Sequence, residues 1–398
     1  MCFQSKKPQP LVYVRTLLQT FLFDAMEVLG SMSIRQILDD DFSIITLPAS
    51  PWLDRLNDEV ELPSDPRFVL AQQMELFRQR AAQPFLDILR TFCQNRCRVR
   101  RTLCHNVRAW DNLQLDAEDV EQALHDKVPN QSTESDSLPL SSWTYLYKLR
   151  QMEWIVQLGF ELEVYQSDEL CGMYWYLNYL AKCRLQHSQR IKSFVVRRVE
   201  ESRKDKEKGG VEAEKQLQRA LAYIRLSLLD AAVTWELSDA LSCLYTVLLR
   251  LKLLKVPPRP YSNDELRYEL RMKPFAPIGL PDLPTFKEFT AGTAQSGMSI
   301  DELLEYCDKA LGGAKKGFEI LSKLPPEEAF SVGSHEAWVA SVKGGLKSCI
   351  ALGLAMSSVQ RAIKTHGETS ELKLRVEIPT PEQAYHEWWI VPRVIPQP

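Results

Sequence analysis

No uncharged apolar run in this 398-residue chain reaches the roughly 18 residues that a membrane-spanning helix needs. The longest candidate, 240–249, reads as part of a globular helix. No secretory signal is expected, because Lys6 and Lys7 lead into prolines and not into an apolar run with a small-residue cleavage site. Charge of one sign is missing too. The formal net charge is −3, which excludes a global field for nucleic acid or an anionic membrane and leaves only local patches. Nine cysteines, an odd number, follow no regular spacing. That pattern favours free, mostly buried thiols in a reducing compartment. No repeat of fixed period is present.

Signatures of chemistry are equally scarce. His105, His125, His187, His335, His366 and His386 stand without a recognisable Ser, Cys or Glu partner motif, although such partners need be close only in space. Leu311-Gly312-Gly313-Ala314 after Lys309 superficially resembles a pyrophosphate-binding loop. Helical pattern on both sides of it argues instead for small residues where two helices approach. Cys93, Cys97, Cys104 and His105 do not match zinc spacings and are expected to be core thiols. Arg96, Arg98, Arg100, Arg101 and Arg108 could meet phosphates, but without interleaved aromatics a solvated helix face is the simpler expectation.

What remains is ordinary globular composition, 45% hydrophobic and 25% charged. The pattern predicts a mainly α fold, a multi-helix array with a proline-rich extended segment and a short strand near the C-terminus. Helical periodicity covers 11–38, 68–112 with a break or kink at Pro84, 143–199 as a hairpin, 217–251, 299–321 and 335–364. Ser299 and Glu302 form a capping-box pair. Residues 372–378 alternate apolar and charged, the one clear strand signal. Four regions follow: 1–140, helical and ending in a Ser/acid-rich loop; 141–256, the central helices with a charged mobile segment at 200–214; 257–298, a proline-rich extended linker; and 299–398, C-terminal helices and an extended tail.

The chain is organised around 159–180, GFELEVYQSDELCGMYWYLNYL. Tyr145, Leu149, Met152, Val156 and Phe160 lie on one face of the first hairpin helix. Ser167 is placed to cap the second helix, with Asp168 and Glu169 at its positive end. Leu170, Met173, Tyr174, Leu177 and Leu180 form one stripe of that helix. Trp175, Tyr179 and Cys183 lie on a second stripe that some other surface must cover. The 217–251 helix is the expected cover, a partner subunit the alternative. If Trp175 is buried, its truncation to Ala is expected to cost about 3–5 kcal/mol.

Two stretches resemble a known family. GFELEVYQSDEL with MYWYL is similar to the signature of the large auxiliary subunit of the N-terminal acetyltransferase C complex. The second match is Asp264-Glu265-Leu266-Arg267-Tyr268-Glu269 with Arg271, Pro274 and Phe275, followed by a proline-rich run and Phe286-Lys287-Glu288. The similarity extends from about Val14 to the C-terminus, and implies that the chain corresponds to the C-terminal portion of the usual subunit. It further implies a non-catalytic scaffold with no cofactor of its own. Its partners would be a catalytic acetyltransferase subunit, which carries acetyl-CoA, and a small Sm-like subunit. The complex would act in the cytoplasm on nascent N-termini of Met followed by a bulky apolar residue, with ribosome association through the complex and no membrane. A helical ribosome- or RNA-binding module is the alternative. The motif residues expected to be structural or partner-binding are Gly159, Phe160, Glu161, Tyr165, Tyr174, Trp175, Tyr176, Arg267, Tyr268, Glu269, Pro274 and Phe275.

Overall fold

The computed structural model describes residues 27–28, 32–33, 80, 84, 87, 95–127, 140–204, 211–256, 263–294, 297–325, 335–366 and 372–397. The fold is mainly α. Eight helices are described: α1 (Arg96–Lys127), α2 (Leu140–Glu161), α3 (Leu170–Lys204), α4 (Val211–Arg250), α5 (Asp264–Met272), α6 (Phe286–Ala294), α7 (Ile300–Leu321) and α8 (His335–His366). Four short strands accompany them: β1 (Glu27–Val28), β2 (Met32–Ser33), β3 (Leu374–Glu377) and β4 (Arg393–Pro396). The chain divides into two compact units, residues 1–151 with 184–228, and residues 152–183 with 229–398. Helices α2, α3 and α4 each contribute residues to both.

In the first unit, α1 buries Val99, Leu103, Val107, Trp110 and Leu113, a run at helical spacing. Trp110 stacks on Tyr147 of α2 at 5.3 Å. Helix α1 runs to Lys127, well beyond the expected end near residue 112. Pro84 is helical, and its carbonyl accepts from Asn106 Nδ2 at 3.4 Å. The expected helix over 11–38 differs where it is described: β1 and β2 pair antiparallel, Glu27 opposite Ser33. Gly30, a poor helix former, stands between them. The Ser/acid-rich loop expected at 128–139 lies outside the described residues.

In the second unit, α4 is buried nearly all round from Ala240 to Leu248. Its serines are absorbed locally or by a neighbour: Ser238 Oγ donates to Thr234 O, and Ser242 Oγ to Cys171 O at 2.9 Å. Helix α7 opens with the expected capping box and buries Leu303, Leu304, Cys307, Leu311, Ala314, Phe318 and Leu321. It packs along α8. A Cβ at Gly345 of α8 would collide with the Phe318 ring, so glycine sets that close approach. By length and composition alone, Trp338–Thr365 of α8 would be apolar enough to cross a membrane. Strand β3 forms where alternation predicts it and pairs antiparallel with β4, Leu374 opposite Pro396.

Three further expectations are corrected. The extended linker at 257–298 contains two helices. Asn263 caps α5 by accepting from Glu265 N at 2.9 Å and Leu266 N at 3.3 Å. Thr285 and Glu288 cap α6 reciprocally: Thr285 N donates to Glu288 Oε2 at 2.8 Å, and Glu288 N to Thr285 Oγ1 at 3.2 Å. The prolines of 274–284 keep their stretch non-helical. The segment 200–214 is helical at both ends, to Lys204 in α3 and from Val211 in α4, and 205–210 lies outside the described residues. Finally, Ser167 does not cap α3. Its hydroxyl donates to Lys255 O at 2.8 Å, while Glu169 Oε2 accepts from Gln166 N at 2.9 Å.

Candidate functional site

The two motif stretches meet in the second unit. At the end of α2, Gly159 lies directly under the Tyr165 ring, and a Cβ there would overlap the phenol. Tyr165 Oη donates to Val156 O at 3.2 Å, closing the turn onto the helix that precedes it. Phe160 meets Tyr165 edge-on at 5.0 Å and stacks on Tyr174 at 4.1 Å. Glu161 ends α2, half-buried.

Each aromatic of the MYWY run serves a different later segment. Tyr174, fully buried, donates to Trp388 O at 3.0 Å and accepts from Ile390 N at 2.8 Å. Tyr245 of α4 donates to Ile390 O at 2.7 Å. Two phenols therefore satisfy the main chain of the segment before β4, where an unpaired amide would be costly. Burial pushes both phenols well above their ordinary pKa, so they remain protonated donors. Tyr176 packs on Phe275 at 5.0 Å, and both are about 1% exposed. Trp175 meets Phe289 edge-on at 5.6 Å and stacks on Tyr179 at 6.3 Å. Gly292 presses on its indole, and Gly172 on the Phe289 ring. The cover of Trp175 is thus α6, not the expected α4, and the indole is half-buried.

The second motif locks onto the turn before α3. Arg267 Nη1 and Nη2 both donate to Asp168 Oδ2 at 3.3 Å, and Nη2 lies 3.4 Å from Glu169 Oε1. Arg271 Nη2 donates to Glu169 Oε2 at 2.7 Å, with its guanidinium over the Tyr165 ring. Tyr268 donates to Pro284 O and packs on Phe286 and Phe289. Pro274 is half-buried, whereas Glu269 points into solvent. Sequence reading missed the roles of Asp168, Glu169, Tyr245 and Phe289. Only the first two carried a signal, as acids beside a helix start, and it pointed to the wrong partner.

Other chemical candidates resolve into packing or solvated surface. Gly312 and Gly313 lie mid-helix in α7, and the Glu236 carboxylate stands where a Cβ of Gly313 would be. Helix-bonded amides beside a carboxylate do not suit a phosphate. Ser341 Oγ lies 2.9 Å from His386 Nε2, but Trp388 N donates to Nδ1 at 3.1 Å. Nε2 of the neutral ring therefore carries the proton and donates to Ser341, the reverse of the tautomer that activates a serine. The expected core thiol Cys97 is instead exposed on α1, as is His105, and Cys104 is half-buried; Cys93 lies outside the described residues. No group of three or more metal-ligating side chains occurs among the described residues. Arg98, Arg101 and Arg108 face solvent.

Against known proteins, the model of a family described as NAA35-like, TPR repeats, matches residues 1–391. The Saccharomyces cerevisiae N-alpha-acetyltransferase 35, NatC auxiliary subunit, is 26% identical over 233 residues, 53% of this chain and 30% of that protein. Its Homo sapiens counterpart is 31% identical over 173 residues, covering 42% of this chain and 23% of its own. The Drosophila melanogaster homolog is 23% identical over 348 residues, 81% and 43% of the two chains. The chain therefore spans less than half the length of these relatives. A chain of the apo NatC complex superposes with a TM-score of 0.72 at 18% identity, over 98% of this chain and 57% of the other. The NatC complex bound to Gag peptide and CoA gives 0.71 over 96% and 53%. The chain belongs to the NAA35-like family of TPR-repeat proteins.

Proposed function

We propose that this chain is an auxiliary, non-catalytic subunit of an N-terminal acetyltransferase complex, a helical scaffold that holds a separate catalytic subunit. The family match over 1–391 carries this reading. The catalytic subunit binds acetyl-CoA and modifies N-termini of Met followed by a bulky apolar residue. A small Sm-like subunit completes the assembly, which works in the cytoplasm and meets the ribosome as a complex. The motif residues act as internal fasteners: Tyr174, Trp175, Tyr176, Arg267 and Tyr268 are engaged with other segments of this chain, which leaves Glu269 as the motif side chain most open to a partner.

Tagged chain co-expressed with the catalytic and Sm-like subunits is expected to retain both in constant ratio. Acetyl transfer to a Met-Leu peptide should follow the catalytic subunit through every fraction. Transfer by the purified chain alone, or failure to retain the catalytic subunit, would contradict the reading.

A further inference from the structure

Helix α8 presents one outward stripe of unusual composition. Lys343 and Lys347 stand at one end, Ile350 and Leu354 in the middle, Arg361 and Lys364 at the other end, all exposed. Ile350 is 57% and Leu354 66% exposed, the most open large apolar side chains on this helix. No acid occurs between Glu336 and Glu368. Beside Leu354 a cleft of about 250 Å³ opens between α8 and the segment leading into β4, floored by Ala355, Trp389 and Val391 and edged by Tyr385. Its one charged lining residue is Arg393.

We propose that this face docks an acidic amphipathic helix of a partner protein, with one apolar side chain seated in the cleft beside Leu354 and carboxylates over the two basic pairs. The cleft is smaller than the roughly 300–1,000 Å³ of small-molecule sites and suits one or two side chains. The stripe spaces its basic pairs about 26 Å apart at 1.5 Å rise per residue, the length of a helix of about 18 residues. Charge selects the partner's sign. A second copy of this chain is a poor occupant, because antiparallel α8–α8 pairing about Leu354 would set Lys343 and Lys347 against Arg361 and Lys364. A bilayer is a poor occupant as well, since a flat surface does not fill a concave cleft. This inference does not depend on the acetyltransferase reading.

The test uses the full chain and a fluorescent 20-residue helical peptide with leucines four apart at its centre and glutamates at both ends. Saturable binding is expected by anisotropy. Leu354→Asp should weaken it at least tenfold, and Lys343→Glu with Lys347→Glu should weaken it and shift preference to a peptide with lysine at the matching end. These positions are exposed, so unchanged circular dichroism is expected for each variant. The proposal is overturned if wild type ignores the peptide, binds a lysine-ended peptide equally well, or is indifferent to Leu354→Asp. Binding of phosphatidylserine vesicles or of single-stranded RNA in place of the peptide also overturns it.

Discussion

The two units handle their buried polar groups differently. In the first, ionisable side chains go inside. Lys148 is fully buried between Asp111 Oδ1 and Gln114 Oε1, both 2.6 Å from Nζ. Burial lowers its pKa, opposed by the bond to Asp111. His187 accepts no charge easily: burial pushes it down to about 4, although Ser142 O lies 3.2 Å from Nε2 and favours the charged ring. Gln151, 1% exposed, has neither amide atom hydrogen-bonded among the described residues. In the second unit tyrosines and hydroxyls bond buried main chain, as Tyr174, Tyr245 and Ser242 do, beside the ionic clasp of Arg267 on Asp168 and Glu169. The tyrosines and hydroxyls stay neutral at any ordinary pH, whereas His187 gives the first unit a buried group that acid charges.

The comparison breaks most sharply at Lys148. Lys148→Ala removes the Nζ bonds to Asp111 Oδ1 and Gln114 Oε1 and should cost about 3–5 kcal/mol, whereas Lys148→Met with Asp111→Leu should recover most of it. Urea unfolding of the two variants measures both. Next in size is acid. His187 is neutral when folded and titrates near 6.5 when unfolded. Its contribution is full above pH 6.5, falls as pH drops and is gone below about 4. The shift is worth at most about 3 kcal/mol. His187→Phe should flatten that slope in melting curves taken from pH 7 to 4; an unchanged slope would assign the acid sensitivity elsewhere.

In the second unit, Trp175→Ala should cost about 2–3 kcal/mol, less than the 3–5 of a fully buried Trp because α6 covers the indole only in part. Gly292→Leu, which drives a side chain into that indole, should destabilise by a similar amount. Thermal melts at neutral and acid pH should show the same loss, in contrast to the His187 variant. Smallest is Ser299→Ala, which removes one side of the α7 capping box at a cost of about 1 kcal/mol.

Periodicity made α2, the front of α3, α7 and β3 legible in the sequence, because each carries an uninterrupted pattern. Helix α6 was hidden behind four prolines, although Thr285-Phe286-Lys287-Glu288 carries a capping-box signal of the same form as the one at Ser299. Lys148 was invisible because lysine is ordinarily exposed. The clasp of Arg267 on Asp168 joins residues 99 apart, and no local pattern encodes that. Helices of 22, 35 and 40 residues in succession also explain why no fixed period is visible in a chain of a TPR-described family. The site was legible as two motifs. That they form one aromatic and ionic junction was not.

Whether the motif fastens this chain to itself or meets a partner is decided by hydrogen exchange on Tyr174→Phe. Loss of the hydroxyl removes the donor to Trp388 O and the acceptor of Ile390 N. Faster exchange in 388–391 with the catalytic subunit still retained is the expected result. Unchanged exchange there, together with loss of the catalytic subunit, would contradict the fastening role and assign Tyr174 to the interface.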